Sequence, residues 1–210
     1  MTQPDVRVKF CGITSLDDAE LCAEAGAWAL GLIFVPESPR HCELDEAARI
    51  AAVLRRRVAL AGVFRNAPLA RVSQVAEALG LALVQLHGDE GVGFCAEVAR
   101  RTGAKVIKAV RVRDRGDVQA VQAFSRVDFH LLDGEGGEPF DWRLAGARRS
   151  SVPLVVAGGL TAGNVGDAIV ATRPFAVDTA SGTEARPGVK DPELVRAFAE
   201  AVAACDTLAA

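Results

Sequence analysis

Eight short apolar runs of β character recur along this chain at nearly constant spacing: "VRVKFC" (6–11), "ALGLIF" (29–34), "VALAGVF" (58–64), "LALVQL" (81–86), "KVIKAV" (105–110), "DFHLLD" (128–133), "PLVVAG" (153–158) and "PFAVDT" (174–179). Their starts lie 21 to 29 residues apart, which is room for a strand, a helix and two short loops. The segments between them carry helical periodicity and helix punctuation. Ser15 with Asp18 resembles a capping box, Pro68 suits a first helical turn, and Gly80 and Gly103 close helical stretches; Asp191-Pro192 opens a last helix. A further helix is expected from about Thr161. Several runs are apolar on both faces, as a parallel sheet covered by helices requires. Eight such units predict an α/β fold, a single closed (β/α)8 barrel of the TIM type forming one domain over 1–210, because an open sheet would leave edges and no G-x-G-x-x-G follows the first strand. At about 26 residues per unit the barrel is compact.

A chain of 210 residues, half of them hydrophobic and 24% charged, has material for one core and is not disordered. The net charge of -3 gives no field to gather nucleic acid or anionic lipid. The N-terminus lacks an apolar run behind basic residues, and nowhere do eighteen apolar residues follow one another. The expectations are therefore a cytoplasmic protein with no nucleic-acid or membrane partner. The start at Met1 favours a stand-alone chain, as a monomer or homodimer. Cys11, Cys22, Cys42, Cys95 and Cys205 form an odd, scattered set without metal or disulfide spacing, and most are read as buried apolar filler. No metal is expected.

In such a barrel the active site lies where the strands end and the following loops begin. That filter selects Cys11, 34–40, Arg65-Asn66, His87-Gly88-Asp89, Arg111, Asp133-Gly134, Gly158-Gly159 and 178–184. "VVAGGLTAGNV" puts Gly158-Gly159 after strand seven, and "AVDTASGTE" puts Ser181-Gly182 after strand eight. Loops at these two positions frequently cradle a phosphate with backbone N–H groups, so a small phosphorylated substrate is expected; the alternative is a pair of tight turns. Cys11, closing strand one, is either a buried hydrophobe or a base or nucleophile over the barrel mouth. Asp133, closing strand six, is a loop cap or an acid tuned by burial. The two come from strands three steps apart in the ring, which suits paired acid and base work on one small molecule. Arg40, on a loop stiffened by Pro36 and Pro39, is a carboxylate fork or a solvated arginine. His87 is a ligand contact or a loop histidine satisfied by backbone, while His41 and His130 are read as structural. Arg55-Arg56-Arg57 closes a helix and suits its C-terminal dipole.

The ordered segments "VKFCGIT", "GLIFVPESPR", "AGVFRN", "VQLHGDE", "IKAV", "LLDG", "FDW", "VVAGGL", "VDTASGTE" and "PGVKD" resemble one family, phosphoribosylanthranilate isomerase of tryptophan biosynthesis. The resemblance implies the Amadori rearrangement of N-(5'-phosphoribosyl)anthranilate on a (β/α)8 barrel without metal or cofactor. It implies Asp133 as general acid, Cys11 as general base and Arg40 on the anthranilate carboxylate. The phosphate then falls to Gly158, Gly159, Ser181 and Gly182, with Gln85, His87 and Asp178 lining the pocket. Two segments depart from many relatives: the loop "GEGGEPFDW" is short, and "TASG" replaces a turn with two serines. Related isomerases of histidine synthesis place an aspartate where Cys11 stands. Indole-glycerol-phosphate synthase needs an early lysine acid, and Lys9 is read as one residue short of the rim-facing pattern. A non-catalytic phosphate sensor on the same barrel predicts loss of the acid–base pair, which is present.

Overall fold

The computed structural model describes residues 6–207. Eight strands close into one barrel: β1 (Arg7–Cys11), β2 (Ala29–Ile33), β3 (Ala59–Phe64), β4 (Leu83–Leu86), β5 (Lys105–Val112), β6 (Phe129–Gly134), β7 (Leu154–Val156) and β8 (Ala176–Thr179). Each is parallel to its neighbours, and β8 returns to β1 with Lys9 opposite Asp178. Every strand falls within two residues of its expected bounds. The single-domain expectation over 1–210 includes 1–5 and 208–210, which lie outside the described residues.

Helices α1 (Leu16–Glu24), α2 (Leu44–Leu54), α3 (Leu69–Leu79), α4 (Val92–Thr102), α5 (Arg115–Ala120), α6 (Val165–Thr172) and α7 (Pro192–Thr207) cover the outside. Their apolar stripes face the sheet, as with Ala47, Ile50, Ala51 and Leu54 of α2. Strand alternation then sorts β1: Phe10 points outward to an edge-on contact with Phe198 of α7 at 6.1 Å, leaving Lys9 and Cys11 on the inner face. The lower barrel is apolar, filled by Ala29, Ala61, Leu83, Ile107, Phe129, Val155 and Ala176, with Trp28 against Phe129 and Phe175. This packed plug sends the strand-end residues of the next layer to the open mouth.

The punctuation holds with adjustments. Ser15 Oγ accepts from Asp18 N–H, but the Asp18 carboxylate takes the N–H of Lys190, so only half of a capping box forms. Pro68 stands just before α3, Gly80 and Gly103 end α3 and α4 in left-handed geometry, and Asp191 caps α7. Two expectations fail. The sixth unit has no α-helix: 3-10 turns at Glu135–Gly137 and Trp142–Ala147 replace it. Few residues remain there after the glycine-rich loop, and the 3-10 turn covers more length per residue than an α-helix. The seventh helix starts at Val165 instead of about Thr161, because Asn164 Oδ1 takes the N–H of Thr161 while its Nδ2 donates to Gly159 O. A hairpin, β9 (Glu184–Arg186) with β10 (Val189–Lys190), follows strand eight.

Candidate active site

The mouth of the barrel holds a cavity of about 560 Å³. Cys11, Arg40, Gln85, His87, Asp133 and Asp178 line it, with Gly158, Gly159 and Ser181 along one side. Gly182 belongs to the same turn but is not in the lining. Its missing side chain lets the strand-eight turn lie against the carbonyl of Leu160.

Cys11 is 7% exposed. Its sulfur occupies space that exists because β2 carries Gly31 opposite: a Cβ there would stand 2.6 Å from Cys11 Sγ and 3.1 Å from Lys9 Nζ. Burial pushes the thiol upward, Lys9 and Lys190 pull it down, Asp178 pushes it up, and the balance lies above the ordinary thiol value. In the free protein the sulfur is therefore held mainly as the thiol.

Lys9 is fully buried and pairs with Asp178 at 2.8 Å. It stands two residues before Cys11 and shares its face, so the reading that placed Lys9 one residue short of the rim pattern is wrong. Burial lowers its affinity for a proton, but Asp178 and Cys11 outweigh this and keep the ammonium charged. The second oxygen of Asp178 and the carbonyl oxygen of Gln85 have no hydrogen-bond partner among the described residues. These are buried acceptors in residues that line the cavity.

Across the mouth, Asp133 Oδ2 lies 3.2 Å from His87 Nε2, and Gln85 Nε2 lies 3.4 Å from His87 Nδ1. The imidazole thus faces side chains of the cavity; its backbone N–H alone joins the sheet, to Phe64 O. Arg40 forks onto Glu184, with Nε at 2.8 and 3.0 Å and Nη2 at 2.8 Å. This pairing raises the guanidinium further above its ordinary value, and Nη1 makes no hydrogen bond among the described residues. The arginine is therefore neither simply solvated nor wholly free.

Gly158 and Gly159 turn through φ +92° and +57°, where only glycine is comfortable. The space beside them is filled by the short loop after β6: a Cβ on Gly159 would come within 2.6 Å of Pro139 Cδ, and one on Gly158 would meet Gly134. The N–H groups of Gly159, Ser181 and Gly182 engage no acceptor among the described residues. Those of Gly159 and Ser181 belong to residues that line the cavity, where backbone donors suit an anion. With α6 starting late, its N-terminus stands farther along the chain from Gly159 than expected.

His130 is buried, its Nε2 3.0 Å from Phe124 O and its Nδ1 3.2 Å from an Arg148 nitrogen, and is structural as expected. His41 has one ring nitrogen buried without a partner among the described residues and is not in the cavity lining. Cys22, Cys42 and Cys95 are buried filler, and Cys205 is half-buried. Among the described residues no group of three His, Cys, Asp or Glu is arranged to hold a metal ion, and no helix is long and apolar enough to cross a membrane.

A family model described as N-(5'-phosphoribosyl)anthranilate (PRA) isomerase matches residues 8–201. The chain belongs to this family. It is 46% identical over 200 residues to the N-(5'-phosphoribosyl)anthranilate isomerase of Geobacter metallireducens, covering 92% of this chain and 96% of the relative. The solved phosphoribosyl anthranilate isomerase of Thermotoga maritima superposes with a TM-score of 0.87 at 40% identity, covering 94% and 98% of the two chains. A further solved isomerase, in complex with reduced 1-(o-carboxyphenylamino)-1-deoxyribulose 5-phosphate, superposes with a TM-score of 0.85 at 40% identity, with the same coverage.

In this member of the isomerase family, Lys9, Glu90 and Lys108 support the site without having been singled out as part of it, and Glu184, within the selected 178–184 stretch, does so as well. Lys9 and Glu184 hold Asp178 and Arg40. Glu90 accepts the N–H groups of Asn66 and Gly88 and pairs with Lys108 at 3.0 Å, and Lys108 also donates to Gly88 O, so the loop next to His87 is pinned from both sides. For the two lysines the signal was present: a charged residue inside an apolar strand run, as in "VRVKFC" and "KVIKAV", needs a buried partner.

Proposed function

We propose that this chain isomerises N-(5'-phosphoribosyl)anthranilate to the 1-deoxyribulose 5-phosphate derivative, with Asp133 as general acid and Cys11 as general base. The substrate's phosphate sits against the N–H groups of Gly159, Ser181 and Gly182, its carboxylate reaches the free Nη1 of Arg40, and its sugar hydroxyls meet Gln85 and Asp178. Asp133 gives a proton to the ribose ring oxygen as the C1'–oxygen bond breaks, and the nitrogen lone pair forms a protonated imine. His87 aims the carboxyl group. The thiolate of Cys11 then removes the C2' proton; the C–H electrons form the C1'–C2' double bond and the imine electrons return to nitrogen. Tautomerisation of this enolamine gives the ketone. The cationic imine helps generate its own base, since positive charge beside a raised thiol favours thiolate.

One observation carries the reading: a thiol from β1 and a carboxyl group from β6 line the same cavity, along which Gly159 and Ser181 bring backbone N–H groups that engage no acceptor among the described residues. The test is to mix purified protein with freshly prepared phosphoribosylanthranilate and follow the loss of its fluorescence. Turnover supports the reading; none, with folded protein, contradicts it.

A further inference from the structure

The pair Lys9–Asp178 lies directly beneath the thiol, in the first layer of the barrel that is not apolar. A buried ion pair adds little stability over an apolar pair of similar volume, and the layer below shows that apolar side chains fill this barrel well. A lysine here calls for another reason. Lys9 Nζ is not spent on its carboxylate: it bonds one oxygen of Asp178 and shares with Cys11 Sγ the space above Gly31. The neighbouring strand β2 offers no side chain at that level, so nothing stands between nitrogen and sulfur from that side.

We propose that Lys9 is the positioning residue of the base, its ammonium group, anchored by Asp178, facing the Cys11 sulfur and holding negative charge on it until it takes the substrate proton. The inference rests on the reading of Cys11 as base.

The charged groups facing Cys11 are Lys9 on the same strand, Asp178 on β8, Lys190 on β10 and Arg40 after β2. Asp178 also faces Asp133 and His87. Lys190 and Arg40 share the carboxylate of Glu184, at 3.5 and 2.8 Å, and Lys190 donates in addition to Ala180 O and Thr183 Oγ1. Of these cations it is Lys9 whose nitrogen shares the space above Gly31 with the sulfur. Burial raises the thiol and Lys9 is the largest opposing influence, while Asp178 adds to the rise. The two members of the pair thus act on the sulfur with opposite sign.

The test is the pH dependence of Cys11 alkylation by iodoacetamide, read by mass spectrometry on the peptide that carries Cys11, in wild type, Lys9→Met and Asp178→Asn, with circular dichroism to check the fold. In Lys9→Met the midpoint should rise by about one pH unit or more, the size of shift an adjacent opposite charge causes. In Asp178→Asn it should fall. Unchanged midpoints in both variants, or shifts of the same sign, overturn the proposal. If Lys9→Met does not fold, Lys9→Gln is measured in its place, where a rise in the midpoint supports the proposal and no rise overturns it. Turnover by Cys11→Ala is measured separately; near-normal activity there would overturn the base assignment itself, whereas the alkylation midpoints report the charge coupling alone.

Discussion

His87 Nε2 lies 3.2 Å from Asp133 Oδ2, joining the end of β4 to the end of β6 across the barrel mouth. Gln85 Nε2 stands 3.4 Å from the other ring nitrogen, so the ring is held between the amide and the carboxyl group and sets how Asp133 faces the cavity. Asp133→Asn removes the acid and should lower kcat by at least ~100-fold with the fold intact. His87→Asn removes only the aim and should cost less. Steady-state kinetics of the two variants check this order; an equal or larger loss in His87→Asn contradicts it.

Gly31 is the one position on β2 that gives the thiol its room. In Gly31→Ala the new methyl group presses on Cys11 Sγ and Lys9 Nζ together. The protein should still fold, less stably by about 1–3 kcal/mol as for other overpacked cores. Turnover should fall by about 100-fold through displacement of the base. Thermal unfolding and turnover measured on one preparation test both parts; normal turnover contradicts the placement.

Arg40 keeps its orientation through two contacts to a nearly buried Glu184. A lysine cannot reproduce that fork and reach a ligand at once. Arg40→Lys should raise KM about tenfold, equivalent to ~1.4 kcal/mol, with a smaller effect on kcat. A change in kcat without a change in KM contradicts the assignment of Arg40 to substrate binding.

The barrel was legible because it depends on repeated local signals: eight apolar runs at constant spacing predicted every strand to within two residues. Cys11, Asp133 and the glycine turns were found by asking which residues end a strand. What escaped depends on contacts far apart in sequence. The face shared by Lys9 and Cys11 follows from simple alternation, yet the partner of Lys9 is Asp178, 169 residues away. Nothing local in the sequence pairs Glu184 with Arg40 or Glu90 with Lys108; the fold sets them together. The missing sixth helix and the late start of α6 come from local competition, glycines in one case and the Asn164 turn in the other, which periodicity does not register.

His130 is held below its ordinary value, first by burial and then by Arg148, against the opposing effect of its bond to Phe124 O. The folded protein therefore prefers the neutral ring. Its contribution to stability is present above the unfolded value near 6.5 and is lost as pH falls below it toward the folded value. The urea midpoint of the wild type should drop between pH 7 and pH 5, with a smaller drop in His130→Asn. Parallel drops contradict the role given to this histidine.

The central claim is that the Cys11 thiol takes the proton from C2'. Its most direct test is kcat for Cys11→Ala with phosphoribosylanthranilate, alongside binding of reduced 1-(o-carboxyphenylamino)-1-deoxyribulose 5-phosphate to the same variant. The account predicts unchanged binding of the reduced compound and a loss in kcat of at least ~100-fold. Near-wild-type turnover by Cys11→Ala would contradict it.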